Sequence, residues 1–449
     1  MKYFIFSFAL VGVFPLAFLL FLNSRWMRYV LWGMALAMFA WQGSAINFFS
    51  HEEYRGSARG MEVSLLYLLS FAILLALMLR GKVRKMVPDV GFWIYVIYFL
   101  LCLPSFSTAE SVELAWCETW KMIMLYLFSF AVFCYLRATG DIQSMLVMFA
   151  MVVIGNFVSV AKAHYAGVFQ PRGIFPHRNC MGMAMNLLGP MFFAYYLMHG
   201  VRAWRGIVFT LAGACAGIAS LWTYSRGSIA VMPVGYGITA LACFLAKRSK
   251  TTVLRRVAPI VVVIMLGTVA MLPRLVNRFV NAPEASGNTR VELARCAMEM
   301  IMDEPIRGVG INNWGIKINP PYEYAELAGR IVPEGMADGV VETVYLLVGA
   351  ECGIPALLAM LVWFGWYLLL AVRLAWKLRG TKWFFFAAGA MGGLSTNYLQ
   401  SILEWVLRQQ MNLVCLMGVF AMLSYLGVEW RSLVASEKQS DLLGKERLQ

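Results

Sequence analysis

Long apolar runs separated by short polar breaks dominate this chain. They lie at about Tyr3 to Leu22, Trp26 to Phe49, Met61 to Leu79, Val90 to Pro104, Thr119 to Leu136, Ile142 to Val160 and Met181 to Met198. They continue at Gly206 to Thr223, Ser228 to Ala246, Val257 to Leu272, Val341 to Trp376, Trp383 to Leu403 and Met411 to Leu426. A helix crosses about 30 Å of hydrocarbon with about 20 apolar residues, so the pattern predicts about twelve membrane helices, the run from Val341 being too long for one straight span. The runs are continuous where a membrane β-strand would alternate, which excludes a barrel. Backbone groups in lipid must be satisfied internally, and helices do this. The fold class expected is therefore an all-α polytopic membrane protein.

One stretch breaks the pattern. Arg274 to Val340 mixes prolines, glycines, asparagines and both charge signs, and its Asn288 to Asp303 section reads as an amphipathic helix that Pro305 follows. A long loop among short connections points to function. The organisation predicted is an N-terminal helix bundle over residues 1–273, a large outer loop over 274–340, C-terminal membrane helices over 341–427 and a polar tail over 428–449.

Composition agrees. Hydrophobic side chains make up 61% and charged ones 14%, against roughly 25% charged in soluble domains. A soluble multi-domain enzyme is excluded. The net charge of +14 would suggest nucleic acid in a soluble protein; here cytoplasmic loops and anionic headgroups account for it, and no nucleic-acid partner is expected. Arg80, Lys82, Arg84 and Lys85, then Arg202 and Arg205, then Lys247 to Arg256, then Arg373 to Lys382 mark cytoplasmic loops. The segments between them face out, among them Ser107 to Glu118 with Glu110, Glu113 and Glu118. The same rule leaves the N-terminal side open. Met1 to Leu22 has no small-residue cleavage site and reads as a retained helix or signal anchor. The nine cysteines show no CxxC spacing, so packing is their expected role and no metal site is expected.

Four polar constellations fall at outer helix ends or in the loop. Pro171 to Asn179 (PRGIFPHRN) precedes the seventh span, and a capped polar turn is its plain alternative. Thr223 to Ser228 (TYSRGS) places Arg226 at an outer junction, where a lone arginine needs an anionic partner. Asn288-Thr289-Arg290 leads through Asp303 to Trp314 (DEPIRGVGINNW), whose glycines also suit a simple packing turn. Last come Val341 to Leu346 (VETVYL) and Glu351 to Pro355 (ECGIP); carboxylates at a membrane boundary need partners, and a salt-bridged glutamate is the plain alternative.

The order Arg-Gly-x-Phe-x-His-x-Asn, Thr-x-Ser-Arg-Gly, an arginine on the loop helix, Asp-x-Pro-x-x-Gly-x-Gly and Glu-x-Gly-x-Pro resembles the O-antigen ligase and O-antigen polymerase superfamily, over Arg172 to Pro355. The resemblance implies a GT-C-type membrane glycosyltransferase of the bacterial inner membrane, with about 12 transmembrane helices, a large structured periplasmic loop and an active site facing the periplasm. It implies transfer of a glycan from an undecaprenyl-diphosphate carrier to an acceptor hydroxyl in lipopolysaccharide or other surface-polysaccharide biosynthesis. The partners implied are the lipid-linked oligosaccharide donor, membrane lipids, and a glycan, lipid A-core or protein acceptor. Arg226 and Arg290 match the family's functional arginines, and Arg172, with His177 and Asn179, matches a position near the donor diphosphate. Guanidinium forks bind phosphate oxygens bidentately and stay charged, so they can stabilise a departing diphosphate. No cofactor is expected, and the chemistry predicted is inverting and metal-independent.

This chain departs from the family at one point. Family ligases usually carry a histidine followed by asparagine, serine or glutamine where Glu342-Thr343 stands, and all four histidines (His51, His164, His177, His199) come earlier. Glu342 either acts as general base toward the acceptor hydroxyl or pairs with a nearby arginine, leaving catalysis to donor positioning. Ligase, polymerase and protein O-oligosaccharyltransferase compete within the enzyme class. The rival from another class is a transporter or flippase of lipid-linked sugars, since helix breaks at Pro190, Pro233 and Gly392-Gly393 also suit transport.

Overall fold

The apolar runs form helices. The computed structural model describes residues 2–22, 26–41, 45–82, 86–201, 203–247, 249–258, 284–327 and 339–446. Among these residues nine helices are long and apolar enough to cross a membrane: Tyr3–Leu20, Val90–Ser107, Val112–Thr139, Ile142–Tyr165, Arg178–His199, Ala203–Trp222, Arg226–Ala246, Val344–Lys377 and Gln410–Gln439. Arg28–Phe39 and Leu65–Leu79 are shorter apolar helices, and Phe384–Leu403 adds a further 20-residue helix. The tenth expected run, Val257 to Leu272, lies outside the described residues from position 259, as do 274–283 and 328–338 of the expected loop. Outward faces stay apolar, with Trp93, Ile97, Leu100, Leu358, Val362 and Leu369 exposed. Apolar contacts inside and apolar surface outside are what a lipid solvent requires. The protein is a multi-pass membrane protein, helical apart from one short hairpin among the described residues.

Arg178–His199 sits at the centre, packed against Ala203–Trp222, Arg226–Ala246 and Phe384–Leu403. Small residues set that approach: a Cβ on Gly389 would lie 2.2 Å from Met191 Cα, and one on Gly393 2.2 Å from the Leu187 carbonyl oxygen. Side-chain hydrogen bonds lock the same helices, Asn186 Nδ2 donating to the Ser228 carbonyl at 2.9 Å and Asn397 Nδ2 to the Met183 carbonyl at 3.0 Å. Both bonds use polar groups that would otherwise be stranded in lipid. Helices from before residue 273 and after residue 341 share this core.

Four expectations are corrected. The run Trp26 to Phe49 is not one helix: the helix Met27–Phe39 ends, and Ile46–Phe48 pairs antiparallel with Met61–Val63 in a short hairpin. Glu118 is no loop residue; the helix starts at Val112 and buries it, because Lys121 and Arg408 neutralise it. Pro190 and Pro233 lie inside continuous helices. Gly392-Gly393 likewise lies within Phe384–Leu403 as a packing stripe, so these positions are not helix breaks.

The long run near residue 350 does bend. Gly353 takes φ 81° and ψ 172° inside Val344–Lys377, and the preceding loop satisfies the backbone groups freed there. Ile354 N donates to the Pro305 carbonyl at 2.7 Å, Val309 N to the Ala350 carbonyl at 2.8 Å and Gly310 N to the Glu351 carbonyl at 3.1 Å. A Cβ on Gly353 would stand 2.4 Å from the Ile306 carbonyl oxygen, which explains the glycine. The DEPIRGVG and ECGIP motifs are thus two halves of one joint. The amphipathic helix predicted from Asn288 forms as Glu284–Asp303 and packs on this kinked helix.

Candidate active site

Arg172, His177 and Asn179 from the first predicted constellation and Glu342 from the last line one cavity of about 940 Å³. His177 caps the helix Arg178–His199: its Nδ1 accepts from Asn179 N at 3.2 Å. Burial, then Arg178 and Arg172, push the His177 pKa down. The shift favours the neutral imidazole, and with Nδ1 accepting, that form carries its proton on Nε2. Arg172 is exposed, and its Nη1 donates to the Pro176 carbonyl at 3.0 Å.

Glu342 immediately precedes the start of the kinked helix, and the loop helix brings Arg290 to it, Nη2 to Oε2 at 3.4 Å. Both remain more than a third exposed. Burial raises the Glu342 pKa and the Arg290 charge lowers it, with burial the larger effect. Arg290 Nε is buried with no hydrogen-bond partner among the described residues. A 3.4 Å contact and an unused donor leave this guanidinium with capacity for a further acceptor.

Neither Arg226 nor Arg290 lines the cavity; Arg290 stands next to it through its contact with Glu342, and Arg226 has no such contact among the described residues. Arg226 opens the helix Arg226–Ala246, whose N-cap Ser225 accepts from Ser228 N at 3.4 Å. No hydrogen bond or ion pair engages the Arg226 side chain among the described residues. Its neighbours contact Glu404: Ser225 Oγ donates to Glu404 Oε1 at 3.3 Å, and a Cβ on Gly227 would meet that oxygen at 2.6 Å.

Sequence reasoning missed Glu404 and Arg408, which sit in the connection after Phe384–Leu403. The available signal was a glutamate and an arginine four apart between two apolar runs. Glu404 is buried and accepts from Gln400 Nε2 at 3.0 Å. Burial first, then the Glu342 charge, push its pKa up to about 7, against lowering by Gln400, Ser225 and Arg290. A carboxyl raised in the fold stabilises it fully below its ordinary value of 4.5 and loses that contribution as pH rises through about 7. Glu404→Gln should therefore flatten the fall in stability across that window, worth up to about 3 kcal/mol. Melting curves at several pH values check this, and parallel curves for both proteins would contradict it.

Arg408 is buried between two acids, Nη2 to Glu118 Oε1 at 2.9 Å and Nη1 to Glu351 Oε2 at 2.5 Å. Lys121 Nζ lies 2.7 Å from Glu118 Oε2 and also donates to the Ser57 and Arg408 carbonyls, each at 3.0 Å. Glu351 is thus a salt-bridged glutamate, the plain alternative for that residue. Among the described residues no group of three or more His, Cys, Asp and Glu side chains is placed to hold a metal ion.

Residues 211–361 match the O-antigen ligase family. The match covers about a third of the chain and supports the superfamily that the order of motifs suggests. Family members are membrane glycosyltransferase-like enzymes of surface-polysaccharide assembly. Arg226, Arg290 and Glu342 fall inside the matched O-antigen ligase segment, whereas Arg172, His177 and Asn179 precede it. A comparison with curated proteins found no match.

Proposed function

We propose that this protein transfers a glycan from an undecaprenyl-diphosphate carrier to an acceptor hydroxyl at the periplasmic face of the bacterial inner membrane. The observation that carries the reading is the meeting of Arg172, His177, Asn179 and Glu342 at one cavity, with Arg290 on Glu342. In this reading residues 1–273 and 341–427 form the membrane bundle, 274–340 stands as the periplasmic loop above it, and 428–449 is cytoplasmic. Arg290 holds the diphosphate beside Glu342, and Arg172, His177 Nε2–H and Asn179 add donors from the cavity wall. The acceptor oxygen attacks the anomeric carbon and the bond to the diphosphate oxygen breaks, inverting the configuration. The acceptor proton passes to Glu342, whose raised pKa suits a general base. The accumulating charge falls on the diphosphate, which fixed guanidiniums stabilise without a metal.

The acceptor class is decided by the product. In cells supplied with a lipid-linked glycan, the protein should convert carrier-linked glycan into either lengthened carrier-linked chains, lipopolysaccharide-linked chains or glycoprotein. Electrophoresis of the three fractions with and without the gene measures this. No change in any fraction would refute the transferase reading, and glycan moved across proteoliposomes without a new glycosidic bond would favour transport.

A further inference from the structure

All the motifs behind the proposed function lie between Arg172 and Pro355, yet part of the cavity wall comes from far earlier in the chain. Arg55, Ser57 and Arg59 of the hairpin loop, with Lys121, line the same cavity as Arg172 and Glu342. The loop is not a loose surface turn. Ser57 and Ala58 are buried, and both their N–H groups donate to Asn312 Oδ1, at 3.1 and 3.2 Å. Asn312 Nδ2 returns a bond to the Ala58 carbonyl at 2.8 Å, and Ser57 Oγ donates to Glu118 Oε2 at 2.7 Å. Lys121 Nζ holds the Ser57 carbonyl. Tyr54 OH donates to the Asn312 carbonyl at 2.5 Å.

The loop centre is therefore bolted to a buried charge network and to the Gly310-Ile311-Asn312-Asn313 segment, while the flanking Arg55 and Arg59 stay exposed at the cavity. Burying ionised groups around a loop is costly, and here the network fixes the backbone between two arginines. An arginine carried on a fixed backbone has less ordering entropy to lose when it binds an oxyanion. The charge of the lining points the same way: the exposed Arg55, Arg59 and Arg172 face two carboxylates, Glu62 and Glu342, while Lys121 is already paired with Glu118. About 940 Å³ leaves room for more than one phosphate-bearing sugar unit.

We propose that the Arg55–Arg59 turn is a second anion-binding element of this cavity, taking a phosphate group of the glycolipid substrates. The inference rests on the transferase reading for its choice of ligand. The phosphate comes either from the donor carrier or from a phosphorylated acceptor, and the test separates them.

The full chain in nanodiscs is titrated with undecaprenyl diphosphate and, separately, with phosphorylated lipid A-core. Arg55→Ala/Arg59→Ala should weaken binding of at least one probe by about tenfold or more. A loss confined to undecaprenyl diphosphate assigns the turn to the donor, and a loss confined to lipid A-core assigns it to the acceptor. A loss for both assigns it a shared role. Unchanged affinity for both overturns the proposal. A second measurement uses the unaltered protein and needs no variant to fold: inorganic pyrophosphate should protect Arg55 and Arg59 from phenylglyoxal, read by peptide mass spectrometry. Equal labelling with and without pyrophosphate also overturns it. Both readouts are binding, so absent glycan transfer with intact binding would count against the transferase reading and leave the subsite standing.

Discussion

Replacing Arg408 by alanine is expected to destabilise the protein by about 3–5 kcal/mol, the cost of breaking a buried ion pair from one side. Arg408 neutralises Glu118 and Glu351 at once, and both carboxylates are buried. Without it one lysine, Lys121, faces two acids, and only Glu118 is within 4 Å of it as an ion pair. Glu351 would keep Trp314 N at 3.4 Å, a weak substitute for the charged guanidinium it loses. The damage should spread along the contacts: Lys121 and Glu118 hold Ser57, and Glu351 lies one residue from Cys352 and two from the Gly353 bend. Unfolding in detergent measures the loss. Adding Glu118→Gln and Glu351→Gln to Arg408→Ala should restore part of the stability, since the uncompensated charges are then gone. An Arg408→Ala protein as stable as the parent would show that the network does not support the fold.

Arg290→Ala carries the largest expected effect on activity. The loop helix brings Arg290 to within 3.4 Å of Glu342, and its Nε has no partner among the described residues. Arg290 therefore touches both halves of the proposed reaction, with donors for the leaving diphosphate and a charge that tempers the Glu342 pKa. Removing one preorganised donor to a developing oxyanion typically costs about 10²–10³ in rate. The Glu342 pKa should rise further without the neighbouring cation, leaving less of the base ionised near neutral pH. Stability should change little, because a pair this exposed contributes about 1 kcal/mol or less.

Much of this was legible in the sequence, and the failures have a common physical cause. Membrane helices announce themselves by continuous apolar runs, so Ile142–Tyr165 and Arg226–Ala246 fall close to their predicted places. The run from Val341, too long for one straight span, does bend, at Gly353. The loop helix was readable from its apolar stripe and the proline that follows it. Hydropathy misread the hairpin, because Ile46-Asn47-Phe48 is apolar enough to extend the preceding helix and strand pairing is decided by a partner at residues 61–63. It also placed Glu118 in a loop, because burial of a charge depends on Arg408, a residue 290 positions away that no local pattern can reveal. Of the three motif arginines, Arg172 lines the cavity, and Arg226 and Arg290 do not. The motifs missed Arg55, Arg59 and Lys121 for the same reason: cations brought in by tertiary contact leave no periodic trace.

The central claim is that Arg290, held against Glu342 beside this cavity, and Arg172 in its wall grip the carrier diphosphate and let the sugar leave. Single-turnover transfer from a purified undecaprenyl-diphosphate-linked glycan, with the protein in liposomes, tests it most directly when Arg290→Ala is compared with the parent at matched folding. The account predicts a transfer rate lower by about 10²-fold or more, with Arg290→Lys recovering only a small part because a point charge lacks the fork. An Arg290→Ala protein that transfers glycan at the parental rate would contradict it.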